Sequence, residues 1–317
     1  MKKAIVAVLL AALSGLAMAQ APGSAVTMIN PFTVSGLTDL VARMVIEKAR
    51  HRFPHGVIAM NRPGAGGSIG IAAVVQSKPQ DLTIGFSPTG AIVDVPQIND
   101  VAYKTPDDIS PIINVVSSYQ LLAVRGDAKW KTAQEFIAAA KAAPGKLSIG
   151  YTGVGTAAHL NMAQLIRAAD INVLEVPYPG WSQSSVALVG GHVDALVINA
   201  GEGRPMLDDG RLRILGVFQP ERVGYYQDVP TFKELGYDIG VKLQFFFFGP
   251  KDMDAGTRRY MHDAFKEVLE DPEFKAFVVS REVSIEYMDG DATKAMLWSE
   301  YNIHTELLRS LGLLKKN

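Results

Sequence analysis

The chain has no cysteine, which excludes a disulfide framework and a lipid attached to an N-terminal cysteine. It has no apolar run long enough to cross a bilayer, which takes roughly 20 residues; the nearest approach runs from Ala4 to Leu13. It also has no block of like charge. Lys and Arg number 31 against 32 Asp and Glu, a net charge of −1, and that balance argues against a nucleic acid or a membrane surface as partner. The six histidines are scattered, with no acidic cluster beside them, so no metal site is expected. No low-complexity stretch or short-period repeat appears.

What the chain does have is apolar content, 48% of 317 residues, enough for an ordinary core; at about 150 residues per domain, two domains are expected. It opens on Met1-Lys2-Lys3, continues through the short apolar run, and reaches Ala17-Met18-Ala19. A basic start, a short apolar region and an A-x-A motif describe a secretory signal peptide cleaved after Ala19. Lys2 and Lys3 leave with it, so the mature chain is slightly more acidic.

Strand-like and helix-like stretches alternate, which predicts α/β architecture with mostly parallel strands. Val26-Thr-Met-Ile29 reads as a strand, followed by a loop through Gly36. A helix then carries Leu37, Leu40, Val41, Met44 and Val45 on one face, the i, i+3, i+4 spacing of a buried stripe. Strands at 57–60 and 82–86 complete the first unit, with a helix at about 69–75 between them. A second unit begins near Leu121. It holds a helix capped by Thr132 with Glu135 three residues on, a strand–helix–strand unit over 147–176, a helix at 182–189, and strands at 195–198 and 212–217. Phe245-Phe-Phe-Phe248 is an apolar strand, and helices follow at about 255–269 and 292–311. These late helices need a sheet to pack on, so the chain is expected to return to the first unit. The expected domains are residues 20–120 with 248–317, and 121–247, with crossings near 119–124 and 245–249.

Three stretches carry candidate chemistry. The first is Gly153-Val-Gly155-Thr-Ala-Ala158, a G-x-G-x-x-A between strand and helix, with Glu175 lying 20 residues after Gly155. That is the form of a dinucleotide fingerprint. The alternative is a tight turn ahead of a helix whose free N–H groups attract any anion, with Thr156 as cap and His159 in the first turn. The second is Gly66-Gly-Ser68-Ile-Gly70, a literal G-x-S-x-G. A hydrolase would use Ser68 as nucleophile, with His159, His192 or His262 as base; the alternative is a glycine-rich loop that caps a helix. The third is Pro31-Phe32-Thr33-Val-Ser35-Gly36-Leu-Thr38-Asp39. Ser35 or Thr38 can cap the helix, and Asp39 can pair with Arg43 at i+4. It is either an ordinary capped helix or an anion cradle at a sheet edge.

Taken together, these stretches resemble the tripartite tricarboxylate transporter receptors, also called Bug receptors. Asn30-Pro-Phe…Gly36…Asp39…Ala42-Arg43 is similar to the family pattern P-F-x-x-G-G-x-x-D-x-x-A-R, and Asn61-Arg-Pro-Gly-Ala-Gly-Gly-Ser-Ile-Gly70 to N-R-P-G-A-G-G-x-I-G. Pro144-Gly-Lys-Leu147, Gly153-Val-Gly-Thr156, His159-Leu160, Val176-Pro-Tyr178, Gly190-Gly-His-Val-Asp194 and Asp228-Val-Pro-Thr231 follow in family order. The resemblance covers nearly the whole mature chain. It implies a periplasmic solute-binding protein of two α/β domains (a Venus flytrap) that takes a small carboxylate between them. It implies no cofactor and no catalysis, a monomer, and a membrane transporter as possible partner. Carried over residue by residue, it places Phe32, Thr33, Ser35, Gly36, Thr38 and Asp39 on one jaw, and Thr152, Gly153, Gly155, Thr156 and His159 on the other. Ser87, Thr89, Tyr178 and Asp194 carry over more weakly. Val34-Ser35 replaces the usual P-G, Pro179 stands where a Lys is common, and residues 245–248 fall where many members have a Trp. No Arg is evident as a carboxylate clamp, so binding by neutral donors and bridging water is expected.

Overall fold

The computed structural model describes residues 21–222 and 224–315; the expected signal segment lies outside them. Among the described residues eleven strands form two sheets. The first sheet takes β1 (Val26–Asn30), β2 (Val57–Asn61), β3 (Thr83–Pro88), β4 (Ile109–Ser118), β10 (Leu243–Pro250) and β11 (Ser284–Asp289), in the order β11-β4-β10-β3-β1-β2. The second takes β5 (Gln120–Arg125), β6 (Ser148–Thr152), β7 (Leu174–Tyr178), β8 (Ala195–Asn199) and β9 (Leu212–Val217), in the order β7-β6-β8-β5-β9.

The sheets are mixed, as expected, but they are not mostly parallel. Strands β1–β2, β1–β3, β6–β7 and β6–β8 pair parallel. Strands β3–β10, β4–β10, β4–β11, β5–β8 and β5–β9 pair antiparallel. The cause is the path of the chain. Strands β1, β3, β4, β6, β7 and β8 all point their C-terminal ends at the other sheet. β5 and β10 are the first strands after the chain has changed sheets, so each starts where its neighbours end and must run against them. Tyr119 alone separates β4 from β5, and residues 218–242 make the return before β10.

Helices cover both faces of the first sheet, and this explains the run of four phenylalanines in β10. Phe245 and Phe247 point into a cluster with Val41, Val45 and Phe265, while Phe246 and Phe248 point into another with Ile71, Tyr103 and Leu297. A strand buried on both faces has no polar alternation to show. The expected helices are found as α1 (Leu37–Ala49), α2 (Ser68–Val75), α5 (Ala133–Ala142), α6 (Ala157–Ala169), α7 (Trp181–Val189), α9 (Ala255–Val268) and α11 (Gly290–Leu311). Thr132 caps α5, its hydroxyl oxygen accepting from the Glu135 N–H. Not foreseen were the short α3 (Gly90–Val93), α4 (Val95–Ile98) and α8 (Arg204–Asp208), the helix α10 (Pro272–Ser280), and strands β4 and β11.

Candidate functional site

Loops at the facing ends of the two sheets meet around one cleft, with an empty volume of about 480 Å3 including its mouth. Phe32, Thr33, Gly36 and Thr38 line it from the β1–α1 connection, and Pro88, Gly90 and Ala91 from the end of β3. The second sheet supplies Thr152, Thr156 and Ala157 from the β6–α6 turn, Gly180 and Trp181 from the start of α7, and Gln120, Asn199 and Glu202. These lining residues include no Lys, Arg or His.

What the cleft offers instead is bare helix starts. The N-caps of α1, α6 and α7 are Gly36, Thr156 and Gly180, and none caps its helix with a side chain. The first N–H groups of a helix have no partner within it, and they carry the positive end of its dipole. Three such ends converge on a cleft whose lining holds no cationic side chain.

Each loop is shaped by a different device. In the first, Ser35 takes a left-handed φ of 65°, and its N–H donates to Asp39 Oδ2 at 3.1 Å. Asp39 Oδ1 accepts from Asn30, Asn61 and Arg43. Burial works against ionisation of this carboxyl, but the donors from Asn61, Ser35, Asn30 and Arg43 outweigh it and hold Asp39 below the usual carboxylate range. Asp39 thus builds the loop from beneath; it does not line the cleft, and Ser35 is exposed away from it. Neither Ser35 nor Thr38 caps α1, contrary to expectation: the N-cap is Gly36, which has no side chain to do so.

In the second loop, Gly153 and Gly155 both have φ of 83°, and each is pressed by the first domain. A Cβ on Gly153 would stand 2.9 Å from Gly66 Cα, and one on Gly155 3.1 Å from Val95 Cγ2. The space a pyrophosphate would need is filled by the opposite loop, so the dinucleotide form of this turn serves contact between two loops. The Thr156 hydroxyl does not cap α6; it faces the carbonyls of Thr152 and Gly153 at 2.6 and 2.9 Å and closes the turn. His159 is buried beneath, stacked on Tyr151 with ring centroids 4.9 Å apart, and its Nδ1 accepts from the Gly155 N–H at 3.2 Å.

The weaker assignments separate. Ser87 is buried, its hydroxyl turned to the Pro88 carbonyl, and Thr89 is buried just behind Gly90. Tyr178 lines a neighbouring surface hollow with Gly64, Gly66 and Val154. Asp194 is out of the site: its Oδ2 accepts from the Ser148 N–H at 2.8 Å and the Ser148 hydroxyl at 2.9 Å. Ser148 begins β6 and Thr152 ends it, so that carboxylate lies at the far end of the sheet. Phe245, in the run that falls where many members have a Trp, is wholly buried.

Ser68 is the first residue of α2, and its N-cap is Gly67, not the serine. Its hydroxyl donates to the Ala65 carbonyl at 2.9 Å, and among the described residues no histidine is bonded to it. The nucleophile–base contact that a hydrolase needs is not formed.

Sequence reasoning missed Glu202. Its carboxylate is buried in the cleft wall, Oε1 accepting from the Leu37 N–H at 2.9 Å and from Asn199 Nδ2 at 3.0 Å. Oε2 accepts from the Asn199 N–H at 3.2 Å. Burial pushes this carboxyl up, against the donors from Leu37 and Asn199. Behind it runs a buried amide chain. Gln120 Nε2 donates to Asn199 Oδ1, Asn161 Nδ2 to Gln120 Oε1, and the Val241 N–H to Asn161 Oδ1. The sequence signal was Gly201-Glu-Gly203, an acid between two glycines just past an apolar strand.

The family model of the tripartite tricarboxylate transporter family receptor matches residues 41–313. The chain belongs to this receptor family. The UPF0065 protein in the gbd 5′ region of Cupriavidus necator is 30% identical over 294 residues, covering 93% of this chain and 89% of that protein. The solved periplasmic binding protein BugD is 26% identical, with a TM-score of 0.88, 93% of this chain and all (100%) of that one covered. MatC from Rhodopseudomonas palustris, solved with bound malate, has the same fold at 21% identity and a TM-score of 0.83, covering 90% of this chain and 99% of that one. The family is one of periplasmic solute-binding receptors, and the expected fold of such a binding protein is present. Among the described residues no helix is long and apolar enough to cross a membrane.

Behind Gly90 this receptor holds a buried acidic cluster. Asp94 Oδ1 lies 2.7 Å from His304 Nδ1, and Asp94 Oδ2 has no partner. Burial pushes Glu300, on the same helix as His304, up to about 7; His304 opposes that shift, and Asp94 adds to it. An acid whose folded pKa is raised stabilises the fold below its unfolded pKa and loses that contribution as pH rises through the folded value. Between pH 4.5 and about 7 Glu300 therefore costs stability, up to about 3 kcal/mol. Glu300→Gln should flatten that part of the profile in urea titrations from pH 5 to 8; an unchanged slope would refute the assignment.

Proposed function

We propose that this protein is an exported receptor that captures a small carboxylate between its two domains and closes on it. The observation that carries this is the convergence of the α1, α6 and α7 starts, uncapped by their own side chains, on one cleft without cationic side chains. Backbone N–H groups at helix starts bind anions through both hydrogen bonds and the dipole. The domains we assign follow the two sheets, one holding β1–β4 with β10 and β11 and the other β5–β9, so the second boundary falls before Leu243 and not at residue 248. Bending falls at Tyr119 and within residues 218–242, where the chain changes sheets. Only the closed form brings both jaws to a ligand, and this differential contact drives closure. Thr152, Gly153, Gly155 and Thr156 form one jaw, supported beneath by His159, and Phe32, Thr33, Gly36 and Thr38 the other, supported by Asp39. Signal cleavage after Ala19, release as a monomer and delivery to a membrane transporter of the tripartite tricarboxylate type complete the reading.

Thr156→Val tests the second jaw. It removes the hydroxyl that closes the turn, about 1 kcal/mol of hydrogen bonding, so calorimetry with the carboxylate that binds should show affinity about fivefold lower. Full affinity would sink the assignment. In small-angle scattering the same carboxylate should compact the protein, and an unchanged radius would remove hinge closure from the mechanism.

A further inference from the structure

We propose that Glu202 makes this receptor selective for carboxylates that also carry a positively charged nitrogen, and turns away dicarboxylates. The inference rests on the carboxylate-receptor reading and names the ligand class for the same cleft.

Charge inside the cleft is the first ground. Glu202 is the one ionisable group among the residues that line it, and it is 8% exposed. With Glu202 ionised, the form that burial disfavours and a neighbouring cation restores, a simple monocarboxylate puts a second negative charge into a closed space with no cation, and a dicarboxylate a third. Two like charges about 6 Å apart, at the effective dielectric of a partly buried site, repel enough to lower affinity roughly 100-fold. A zwitterion adds no net charge, and its cationic nitrogen is attracted as strongly as its carboxylate is repelled.

The second ground is hydrogen-bonding capacity. A carboxylate offers about four acceptor positions. Three are filled, two on Oε1 by the Leu37 N–H and Asn199 Nδ2, and one on Oε2 by the Asn199 N–H. One position on Oε2 is left for a donor, and an ammonium brings three. The Glu202 carboxylate is held without help from the ligand, because Asn199 is itself oriented by Gln120 and Asn161. The third ground is the place Glu202 takes. It accepts the Leu37 N–H at the start of α1, and a Cβ on Gly36 would stand 3.4 Å from its Oε1. The jaw at α1 is thus partly occupied by the protein's own carboxylate, and the start of α6 at Thr156 is left for the ligand's.

Calorimetry at pH 7 on the mature chain, with probes matched in shape, tests this: leucine against isocaproate, proline against cyclopentanecarboxylate, alanine against propionate, and succinate as dicarboxylate. The expected result is that an amino member binds, with its partner and succinate about 100-fold weaker. Glu202→Gln should reduce that preference to fivefold or less, whereas Thr156→Val should weaken both members of a pair alike. A second measurement needs no variant: ligand released from the purified receptor should carry a cationic nitrogen by mass spectrometry. Tight binding of succinate or of an amine-free member by the wild type, or a preference that survives in a folded Glu202→Gln, overturns the proposal and leaves the carboxylate reading standing. A released ligand without a carboxylate, or no binding by any probe alongside unaltered behaviour of Thr156→Val, overturns both.

Discussion

Gly66→Ala is expected to lower ligand affinity roughly 30-fold while costing the fold only about 1–2 kcal/mol. The two effects have separate causes. Gly66 has a φ of 66°, and an alanine there bears the left-handed penalty of roughly 1–2 kcal/mol in any state of the protein. The larger effect exists only where the two domains touch. A Cβ at position 66 would stand 2.4 Å from the Val154 carbonyl oxygen of the other domain. A carbonyl in a tight turn cannot rotate away as a flexible side chain can, so the loops must part. If closure is the state that binds, a closed form destabilised by about 2 kcal/mol loses roughly 30-fold in apparent affinity. Calorimetry set beside thermal unfolding separates the two terms. A variant with lowered melting temperature and unchanged affinity would show that contact between Gly66 and Val154 is no part of binding.

Phe247→Ala is expected to be the most destabilising single change, about 3–5 kcal/mol, the range for truncating a buried phenylalanine. Phe247 is wholly inaccessible on β10, with its ring centroid 4.3 Å from Phe265 and 4.5 Å from Phe86. Its neighbours are fixed by a strand on either side, β3 and β4, so the space left behind cannot collapse. In a domain of this size the loss corresponds to roughly 10 °C or more in melting temperature. Urea titration measures it directly, and a loss below 1 kcal/mol would mean that the sheet relaxes into the gap. Residual variant that stays folded should bind normally, since Phe247 lies in the core and not on the cleft.

The two changes mark what could be read in advance. The alternation of apolar strands and striped helices was visible, because each strand or helix advertises its own period; β9, at residues 212–217, has the bounds its sequence indicates. The loops of the cleft were also legible, since turns ahead of helix starts need Gly, Ser, Thr and Asp at fixed places, as at residues 32–39 and 152–159. Short elements with no period of their own, such as α3 and α4, left no signal.

The sequence by itself determined an α/β protein with a large core and two glycine-bearing loops ahead of helix starts. Only the tertiary structure decided which side chains meet at the cleft. Thr156 reads as a helix cap and instead turns to the carbonyls of its own loop. Asp194 sits in a family motif and is taken by Ser148 at the far end of β6. Glu202 reaches the Leu37 N–H across 165 residues of sequence. Local pattern reports the backbone state of a segment, because neighbouring residues set it. The partner of a side chain in a cleft is set by where the chain changes sheets, a long-range property that no window of sequence contains.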